Sequence, residues 1–427
     1  MAPVKTPSSR LSWMAALCTT LAAVTSGTFT STLAADWPQW RGADRRDHSP
    51  DTGLLKQWPA EGPKRLWTYD GAGLGYSGYS VVGGRLYTMG LRGEEEFLMA
   101  VDATNGKALW SAGAGPRYAN NWGDGPRSTP TVDGDRVYGL GGQGLLICAS
   151  TKDGKILWKK SLVTDLGGKL QGWGYTESPL VVGDLILVTP GGGDGTMAGL
   201  DKKTGDVRWR TKDLTDDAQY SSAILVNAGG RQQAVQLVGK RFFGLDPATG
   251  AVAWRQDFPG RTAVIPTPVA SPSGQIFITA GYGAGCQSVQ LAADGKSVTQ
   301  LYENKVMKNH HGGVVLVGEH IYGNSDGYAW VCQNLKTGQE VWASKSLGKG
   351  AIHYADGMLY CLDEKTGEVA LVEASPTAWN EKSRFKLSPQ SAQRSKSGAI
   401  WTHPVVVDGK LYLRDQELLS CYDVKGK

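Results

Sequence analysis

A short signature recurs eight times along this chain, and its period constrains the fold more than any other feature of the sequence. In the six clearest copies, a strand-end residue that is often Asp is followed four residues later by a turn glycine and then by an aromatic residue. The strand-end residues are Asp102, Ser150, Asp201, Asp246, Leu291 and Asn334, with weaker copies at Glu373 and Asp423. Successive copies lie 39 to 51 residues apart, which is the length of a four-stranded propeller blade.

The signature therefore predicts an all-β fold, an eight-bladed β-propeller of four-stranded antiparallel blades. Asp, Asn and Ser side chains accept hydrogen bonds from the backbone amides that follow them, and glycine takes the positive φ that a tight reversal needs. The chain contains 58 glycines, and no long window shows apolar residues at helical spacing. These residues indicate turn chemistry rather than catalysis.

Each aromatic residue of the signature is predicted to lie on the outermost strand of its blade and to pack against the neighbouring blade. These residues are Trp110, Trp158, Trp209, Trp254, Tyr302, Trp342 and Phe385. The eighth repeat ends at Lys427 without an outer strand of its own. The segment 65–69, with Trp67 in the matching place, is predicted to supply that strand and to close the ring.

The seventh repeat contains an imitation of the signature at 362–367. Counting from it would break the period. The spacing instead predicts the second strand at 358–362 and the third at 369–373, with Pro376–Arg384 inserted before the fourth.

The first 35 residues have the pattern of a signal peptide, with a basic start at Lys5 and Arg10, an apolar stretch at 13–24 and small residues at 33–35. We expect a signal peptide at 1–35, an N-terminal extension at 36–64 and the propeller at 65–427. The chain is predicted to be periplasmic or secreted and monomeric, with no transmembrane span after cleavage. Loss of the two basic residues lowers the formal charge from +5 to +3, so no nucleic-acid partner is predicted.

Five cysteines would remain after cleavage. Cys148, Cys332 and Cys421 lie two residues before their strand ends, where other copies carry Ala or Gly. Equivalent positions on different blades are too far apart for a disulfide. We expect buried free thiols rather than metal ligands.

The loops that enter each inner strand are the irregular part of the repeat, and they meet on one face of the ring. Loops on a rigid scaffold collect binding residues. The predicted ligand-binding residues are Tyr76, Tyr79, Asn121, Trp122, Asp124, Arg127, Trp173, Tyr175, Glu177, Tyr220, Arg261, His310, His311, His353, Trp401 and His403. A polar or anionic ligand, such as a sugar or a carboxylate-bearing peptide, would suit this face.

Two other interpretations of these loops stay open. The aromatic residues could plug the channel, and His310 and His311 could be a hydrogen-bonding pair of the loop. No metal site is predicted, because the histidines lack a ligand spacing. No catalytic residue is predicted either, since no nucleophile motif is present.

The repeated Asp-x-x-Thr-Gly-x-x-x-Trp pattern resembles the pyrroloquinoline-quinone (PQQ) repeat family of β-propellers over residues 65–427. The motifs at 37–42, 308–313 and 401–404 are similar to those of exported, PQQ-binding-like propellers of the Planctomycetes type. The family also includes quinoprotein alcohol dehydrogenases and BamB-type scaffold lipoproteins of outer-membrane protein assembly.

The quinoprotein resemblance implies a quinone held between a tryptophan floor and a disulfide of adjacent cysteines, beside a calcium ion. Trp122, Trp173 or Trp401 would then be the floor, Glu177 or Asp124 would contact calcium, and Arg127 or Arg261 would pair with the quinone carboxylates. The sequence has no adjacent cysteine pair. We therefore predict an exported binding or scaffold propeller without a cofactor, whose partner is a small polar ligand or an envelope protein. A PQQ- and calcium-dependent dehydrogenase of alcohols or sugars is the alternative.

Overall fold

The regular structure of this chain is built from β-strands. The computed structural model describes residue 1 and residues 36–426, so most of the expected signal peptide lies outside the described residues. Within 36–426 there are 33 strands and no helix, and the strands form eight sheets around one axis. The all-β, eight-bladed prediction is confirmed. None of the described residues forms a helix of the length and apolar character that a membrane crossing requires.

Two strands precede the first blade, and the next sixteen form blades I to IV. The first two are β1 (His48–Ser49) and β2 (Lys64–Tyr69). Blade I consists of β3 (Ser80–Val82), β4 (Arg85–Arg92), β5 (Glu95–Asp102) and β6 (Ala108–Pro116). Blade II consists of β7 (Thr131–Asp133), β8 (Arg136–Leu140), β9 (Leu145–Ser150) and β10 (Ile156–Ser161). Blade III consists of β11 (Leu180–Val182), β12 (Leu185–Val188), β13 (Ala198–Asp201) and β14 (Val207–Arg210). Blade IV consists of β15 (Ile224–Ala228), β16 (Arg231–Leu237), β17 (Arg241–Leu245) and β18 (Val252–Asp257).

The remaining strands form blades V to VIII. Blade V consists of β19 (Val269–Ala270), β20 (Gln275–Ala280), β21 (Gly285–Leu291) and β22 (Val298–Asn304). Blade VI consists of β23 (Val314–Val317), β24 (His320–Ser325), β25 (Ala329–Asn334) and β26 (Glu340–Ser344). Blade VII consists of β27 (Gly350–Ala355), β28 (Met358–Asp363), β29 (Glu368–Glu373) and β30 (Asn380–Lys386). Blade VIII holds β31 (Val405–Val407), β32 (Lys410–Asp415) and β33 (Leu418–Asp423).

The ring closes through the first long strand. Strand β2 pairs antiparallel with β33 and becomes the outer strand of blade VIII, with Trp67 opposite Cys421. The predicted closure is confirmed. Because the last sheet is completed by a strand from the other end of the chain, the ring has no unfinished blade.

The repeated signature joins each blade to the next. In blade I, the Trp110 indole donates to the backbone carbonyl of Thr151, in the turn of blade II, at 3.1 Å. A Cβ atom on the turn glycine Gly154 would lie 2.5 Å from the same indole, and this glycine has φ +74°. The glycine is therefore needed for the turn and for the close approach of the neighbouring tryptophan.

Small residues lie opposite the outer-strand tryptophans. Cys148 is opposite Trp158, and Cys332 is opposite Trp342. All five cysteines among the described residues are buried and free. Burial raises the pKa of the Cys332 thiol to about 11. The cysteine opposite this tryptophan is therefore an inert thiol rather than a reactive one.

Blade VII departs from the prediction at its outer strand. The predicted second and third strands are confirmed as β28 and β29. The expected insertion at Pro376–Arg384 is wrong, because β30 already begins at Asn380. Phe385 lies on the outer strand as predicted and packs on Tyr422 of blade VIII with ring centroids 5.1 Å apart. Its register differs from that of the other copies, since Ser383 lies opposite Leu371 and Phe385 lies two residues further along, opposite Val369.

A tryptophan from the N-terminal extension fills the place that blade VII leaves without an aromatic. Trp58 is 4 % exposed and packs on Tyr360 with ring centroids 5.8 Å apart. Inside blade II, Trp158 packs on Tyr138 at 5.9 Å. The Trp58 backbone amide also donates to the Ser383 hydroxyl at 3.0 Å. The extension therefore completes the core of this blade.

The start of the extension, residues 36–49, runs through the centre of the ring, and we call it the axial strap. The Arg45 guanidinium donates to the carbonyls of Pro179, Ser178 and Ala223, at the entrances of β11 and β15, at 2.6 to 3.1 Å. Arg41 donates to the Val314 carbonyl of β23 at 2.6 Å. These buried guanidiniums satisfy carbonyl groups of inner strands from several blades. The strap thus closes the channel along the axis.

Candidate functional site

The entry-loop face carries a cavity of about 200 Å³ at the centre of the ring. Seven aromatic side chains line it. They are Trp40, Tyr76, Trp122, Trp173, Tyr220, Tyr282 and Trp401. Trp122 is 47 % exposed and Tyr282 is 41 % exposed, so the mouth of the cavity presents aromatic surface to solvent. Exposed aromatic residues around a concavity are typical of a binding site.

The structure brings nine of the sixteen predicted ligand-binding residues to this cavity. They are Tyr76, Trp122, Arg127, Trp173, Tyr220, His310, His311, Trp401 and His403. They come from the entry loops of six blades. Their convergence follows from the ring, because every entry loop reaches the axis from the same face.

Four other predicted residues are buried in structural positions away from the cavity. The Tyr79 hydroxyl bonds to the Tyr412 carbonyl at 2.5 Å, and the Tyr175 hydroxyl donates to the Pro190 carbonyl at 2.8 Å. His353 donates from Nδ1 to Asp47 of the axial strap at 2.7 Å and accepts the Val406 amide at Nε2. Glu177 accepts the Thr189 amide.

Three further residues lie in the entry loops but do not line the cavity. Asn121 and Arg261 are exposed. Asp124 pairs with Arg117 and accepts the Asn120 amide at 2.8 Å, so it holds its own loop together. Of the seven predicted residues that do not line the cavity, four are therefore buried in the core and three lie elsewhere in the entry loops.

Sequence reasoning missed Trp40 and Arg41 of the axial strap, which line the inner end of the cavity, and Tyr282 at its rim. Trp40 donates from its indole to the Thr267 hydroxyl at 2.9 Å. The motif at 37–42 was visible in the sequence, but nothing local indicates that it returns to the axis. Tyr282 stands between two glycines in the hairpin of β20 and β21, outside the entry loops that the sequence pattern singles out.

The charge of the cavity is cationic. Its lining holds Arg41 and Arg127 and, within residues 36–426, no Asp, Glu, Asn or Gln. Arg127 donates to the carbonyls of Gly125 and Gly123, at 2.7 Å each, and its guanidinium lies 5.4 Å from the Tyr76 ring centroid. The acidic residue of the same loop pairs with Arg117 instead. Among the described residues no carboxylate forms an ion pair with Arg127, although Glu96 and Asp124 are near enough to stabilise its charge. Arg127 therefore brings a half-buried positive charge to the cavity.

Two of the three histidines that line the cavity, His310 and His403, are neutral at pH 7. Burial lowers the pKa of His403 to about 4, although Asp47 and the His311 carbonyl oppose that shift. Burial, the neighbouring His311 and the Lys349 ammonium lower the pKa of His310 to about 3. The His403 Nε2 hydrogen donates to the His311 carbonyl at 2.8 Å, which fixes the tautomer.

Comparison with known proteins begins with the family "Outer membrane protein assembly factor BamB", whose model matches residues 94–371. That match covers well over half of the chain. The chain belongs to the BamB family. A BamB protein of Burkholderia pseudomallei is 26 % identical to it over 301 residues, which is 65 % of this chain and 72 % of that protein.

Solved structures show the same fold as this BamB-family chain at low sequence identity. BamB from Moraxella catarrhalis has a TM-score of 0.58 at 16 % identity and covers 82 % of this chain and 95 % of its own. The quinohemoprotein alcohol dehydrogenase from Comamonas testosteroni has a TM-score of 0.64 at 10 % identity, covering 92 % of this chain and 81 % of its own. The likeness to the dehydrogenase therefore extends to the propeller fold alone.

The residues of this BamB-family chain do not fit a quinone beside calcium. A calcium ion in such a site needs carboxylate and amide oxygens. Glu177 and Asp124, the residues that the resemblance would assign to calcium, do not line the cavity. The described residues also contain no cluster of three or more His, Cys, Asp or Glu placed to hold a metal.

Proposed function

We propose that this chain is an exported scaffold propeller that acts in the assembly of outer-membrane proteins, and that it binds a partner protein with its entry-loop face. Its place is the periplasm, where a soluble disc can present that face to an envelope protein. The family match supports the scaffold role. The quinone-dependent dehydrogenase is not favoured, because the cavity lacks the oxygen ligands that calcium would need.

One observation carries the choice of face. The mouth of the cavity combines exposed Trp122 and Tyr282 with the half-buried guanidinium of Arg127. Tryptophan, tyrosine and arginine are the residues that contribute most to protein interfaces. By contrast, the exposed apolar residues on the rim of the disc, such as Leu109 and Leu301, are single aliphatic side chains on the outer strands of separate blades.

The proposal is tested in the native host by replacing the chain with variants. We expect deletion to lower the amount of folded outer-membrane protein in the envelope. The double variant Trp122→Ala and Tyr282→Ala should restore less than half of the loss, since residues of this kind can each contribute about 2 kcal/mol to an interface.

The matched control is the double variant Leu109→Ala and Leu301→Ala, which removes two similarly exposed side chains from outer strands. This control should restore assembly fully. If both double variants restored assembly equally, the entry-loop face would not be the partner site. If deletion left outer-membrane proteins unchanged, the assembly role would be wrong.

A further inference from the structure

The polar groups around the cavity are mostly hydrogen-bond donors. Three hydroxyl oxygens in its wall already accept a hydrogen bond within the protein: Thr267 accepts the Trp40 indole, Ser178 accepts the Thr129 amide, and Ser222 accepts the Ser178 amide. The hydroxyls of Thr176 and Tyr76 donate to backbone carbonyls instead. The unprotonated ring nitrogen of His403 has almost no accessible surface. Among the described residues, the charged groups that a ligand meets in this cavity are therefore donors, and no carboxylate or side-chain amide lines it.

The rim tyrosine is a donor because of the residues behind it. The Lys349 ammonium lies 2.6 Å from His310 Nδ1 and 2.8 Å from an Asp326 oxygen. An ammonium group has only protons to give, so His310 Nδ1 must accept and the proton of the imidazole must be on Nε2. That Nε2 proton is donated to the Tyr282 oxygen at 2.9 Å. The hydroxyl proton of Tyr282 is therefore left for a ligand.

The backbone at the cavity is held in an unfavourable conformation. Tyr282 has φ +55°, in the left-handed region that aromatic residues rarely adopt. Arg41, Arg45 and Asp47 of the axial strap also have positive φ, and the described residues include only seven such non-glycine positions. Strain of this kind concentrates where a fold holds side chains for binding.

The ring order places Arg127 and Tyr282 on different sides of the cavity. Arg127 lies in the loop that enters blade II, and Tyr282 lies in a hairpin of blade V. Aromatic rings form the wall between them. The site therefore offers a cation, a hydroxyl donor and apolar ring faces around one small volume.

We infer that the cavity binds the carboxylate of a small acid with an aromatic or apolar body, with Arg127 and the Tyr282 hydroxyl as donors. An ionised carboxylate is a hydrogen-bond acceptor only, which matches a cavity that supplies donors. A neutral sugar fits less well, because it carries no charge to pair with Arg127. The carboxylate can belong to a free acid or to the end of a partner's polypeptide chain. The inference rests on the proposed function, since it names the group that the entry-loop face would hold.

The test is calorimetric titration of the purified protein at pH 7 with two pairs of probes. One pair is 3-phenylpropionate and its amide, and the other is a short peptide ending in phenylalanine with a free or an amidated carboxyl group. We expect each acid to bind about tenfold tighter than its amide, the effect of one hydrogen bond to a charged group. If 3-phenylpropionate bound more tightly than the peptide acid, the natural ligand would be a small molecule. If the peptide acid bound more tightly, the natural ligand would be the end of a polypeptide chain.

Variants separate the two donors from the rest of the face. Tyr282→Phe removes one oxygen from an exposed side chain and should weaken binding of the acid about threefold to tenfold. Arg127→Gln should abolish the preference for acid over amide. Arg261→Gln is the matched control, because Arg261 is exposed in an entry loop and does not line the cavity. Its affinity should equal that of the wild type.

Equal affinity for acid and amide, no binding of any probe, or unchanged acid binding in both Tyr282→Phe and Arg127→Gln would overturn the inference. These results leave the assembly experiment unaffected. Conversely, if the protein preferred the acid but the double variant Trp122→Ala and Tyr282→Ala restored assembly fully, the carboxylate site would stand and the proposed function would be wrong.

Discussion

Trp58 packs on Tyr360 at 5.8 Å in the arrangement that Trp158 has with Tyr138 inside blade II. A residue of the N-terminal extension thus completes the core of a blade that lies about 300 residues further along the chain. We expect Trp58→Ala to lower the free energy of unfolding by about 3 kcal/mol or more, because a buried indole is removed. Urea denaturation followed by far-UV circular dichroism measures the loss.

The control for this change is Trp122→Ala, which removes an exposed indole and should change stability by less than about 0.5 kcal/mol. Equal effects of the two substitutions would show that Trp58 is not part of the core.

Arg45 tests the axial strap. Replacement by alanine leaves the carbonyls of Ser178, Pro179 and Ala223 without their buried donor. We expect Arg45→Ala to destabilise the protein by about 3 kcal/mol, since unsatisfied buried groups and a lost charge both contribute. Its neighbour Arg46 is 43 % exposed and, within residues 36–426, forms an ion pair with Asp44 alone, at 3.8 Å. Arg46→Ala should change stability little. Similar midpoints of thermal unfolding for the two variants would contradict the stabilising role of the axial strap.

The closure of the ring can be tested with an engineered disulfide. The hydroxyls of Thr68 on β2 and Ser420 on β33 lie 3.0 Å apart. The double variant Thr68→Cys and Ser420→Cys should form a disulfide under mild oxidation, because the two side chains face each other across the strand pair. Mass spectrometry of the unreduced digest should find the two peptides linked. If both peptides were recovered with free thiols, the pairing of β2 with β33 would be contradicted.

Glu177 gives a pH dependence with a defined sign. Burial raises its pKa to about 7, although the Thr189 amide and the nearby Arg45 charge oppose the shift. In the unfolded chain the carboxyl group of Glu177 has its ordinary, lower pKa. At pH values between the two pKa values, the folded state therefore keeps a proton on Glu177 that the unfolded state has lost. The contribution of Glu177 to stability therefore falls as the pH rises from 5 to 8.

The variant Glu177→Gln isolates this effect from that of the neutral histidines, whose contribution has the opposite sign. The stability of the wild type relative to the variant should drop by about 3 kcal/mol over this range, at 1.36 kcal/mol for each unit of pKa shift. Denaturation midpoints at several pH values measure it. A difference that is flat or rises with pH would contradict the assignment.

The architecture was predictable because each blade repeats a local chemistry. An Asp, a glycine and a tryptophan at fixed spacing specify the turn and the contact with the next blade, as Asp102, Gly154 and Trp110 show. The spacing also identified the correct strands in blade VII, where the imitation at 362–367 forms the turn between β28 and β29.

The parts that could not be predicted depend on contacts between residues far apart in sequence. The side chain of Trp58 takes the position of the aromatic residue that the outer strand of blade VII lacks. The axial strap brings Trp40 and Arg41 to the cavity. No repeat or spacing relates these residues to their partners. Tyr175 and Glu177 share an entry loop with Trp173, yet their side chains point into the core. A loop assignment alone does not give side-chain direction.

The central claim is that partners bind at the entry-loop face. Site-specific photo-crosslinking in the native envelope tests it most directly, with a benzoylphenylalanine at position 122 or at position 109, where the side chains are 47 % and 45 % exposed. We predict that position 122 crosslinks to a protein of outer-membrane assembly and that position 109 does not. Crosslinking at position 109 alone, or equally at both positions, would contradict the account.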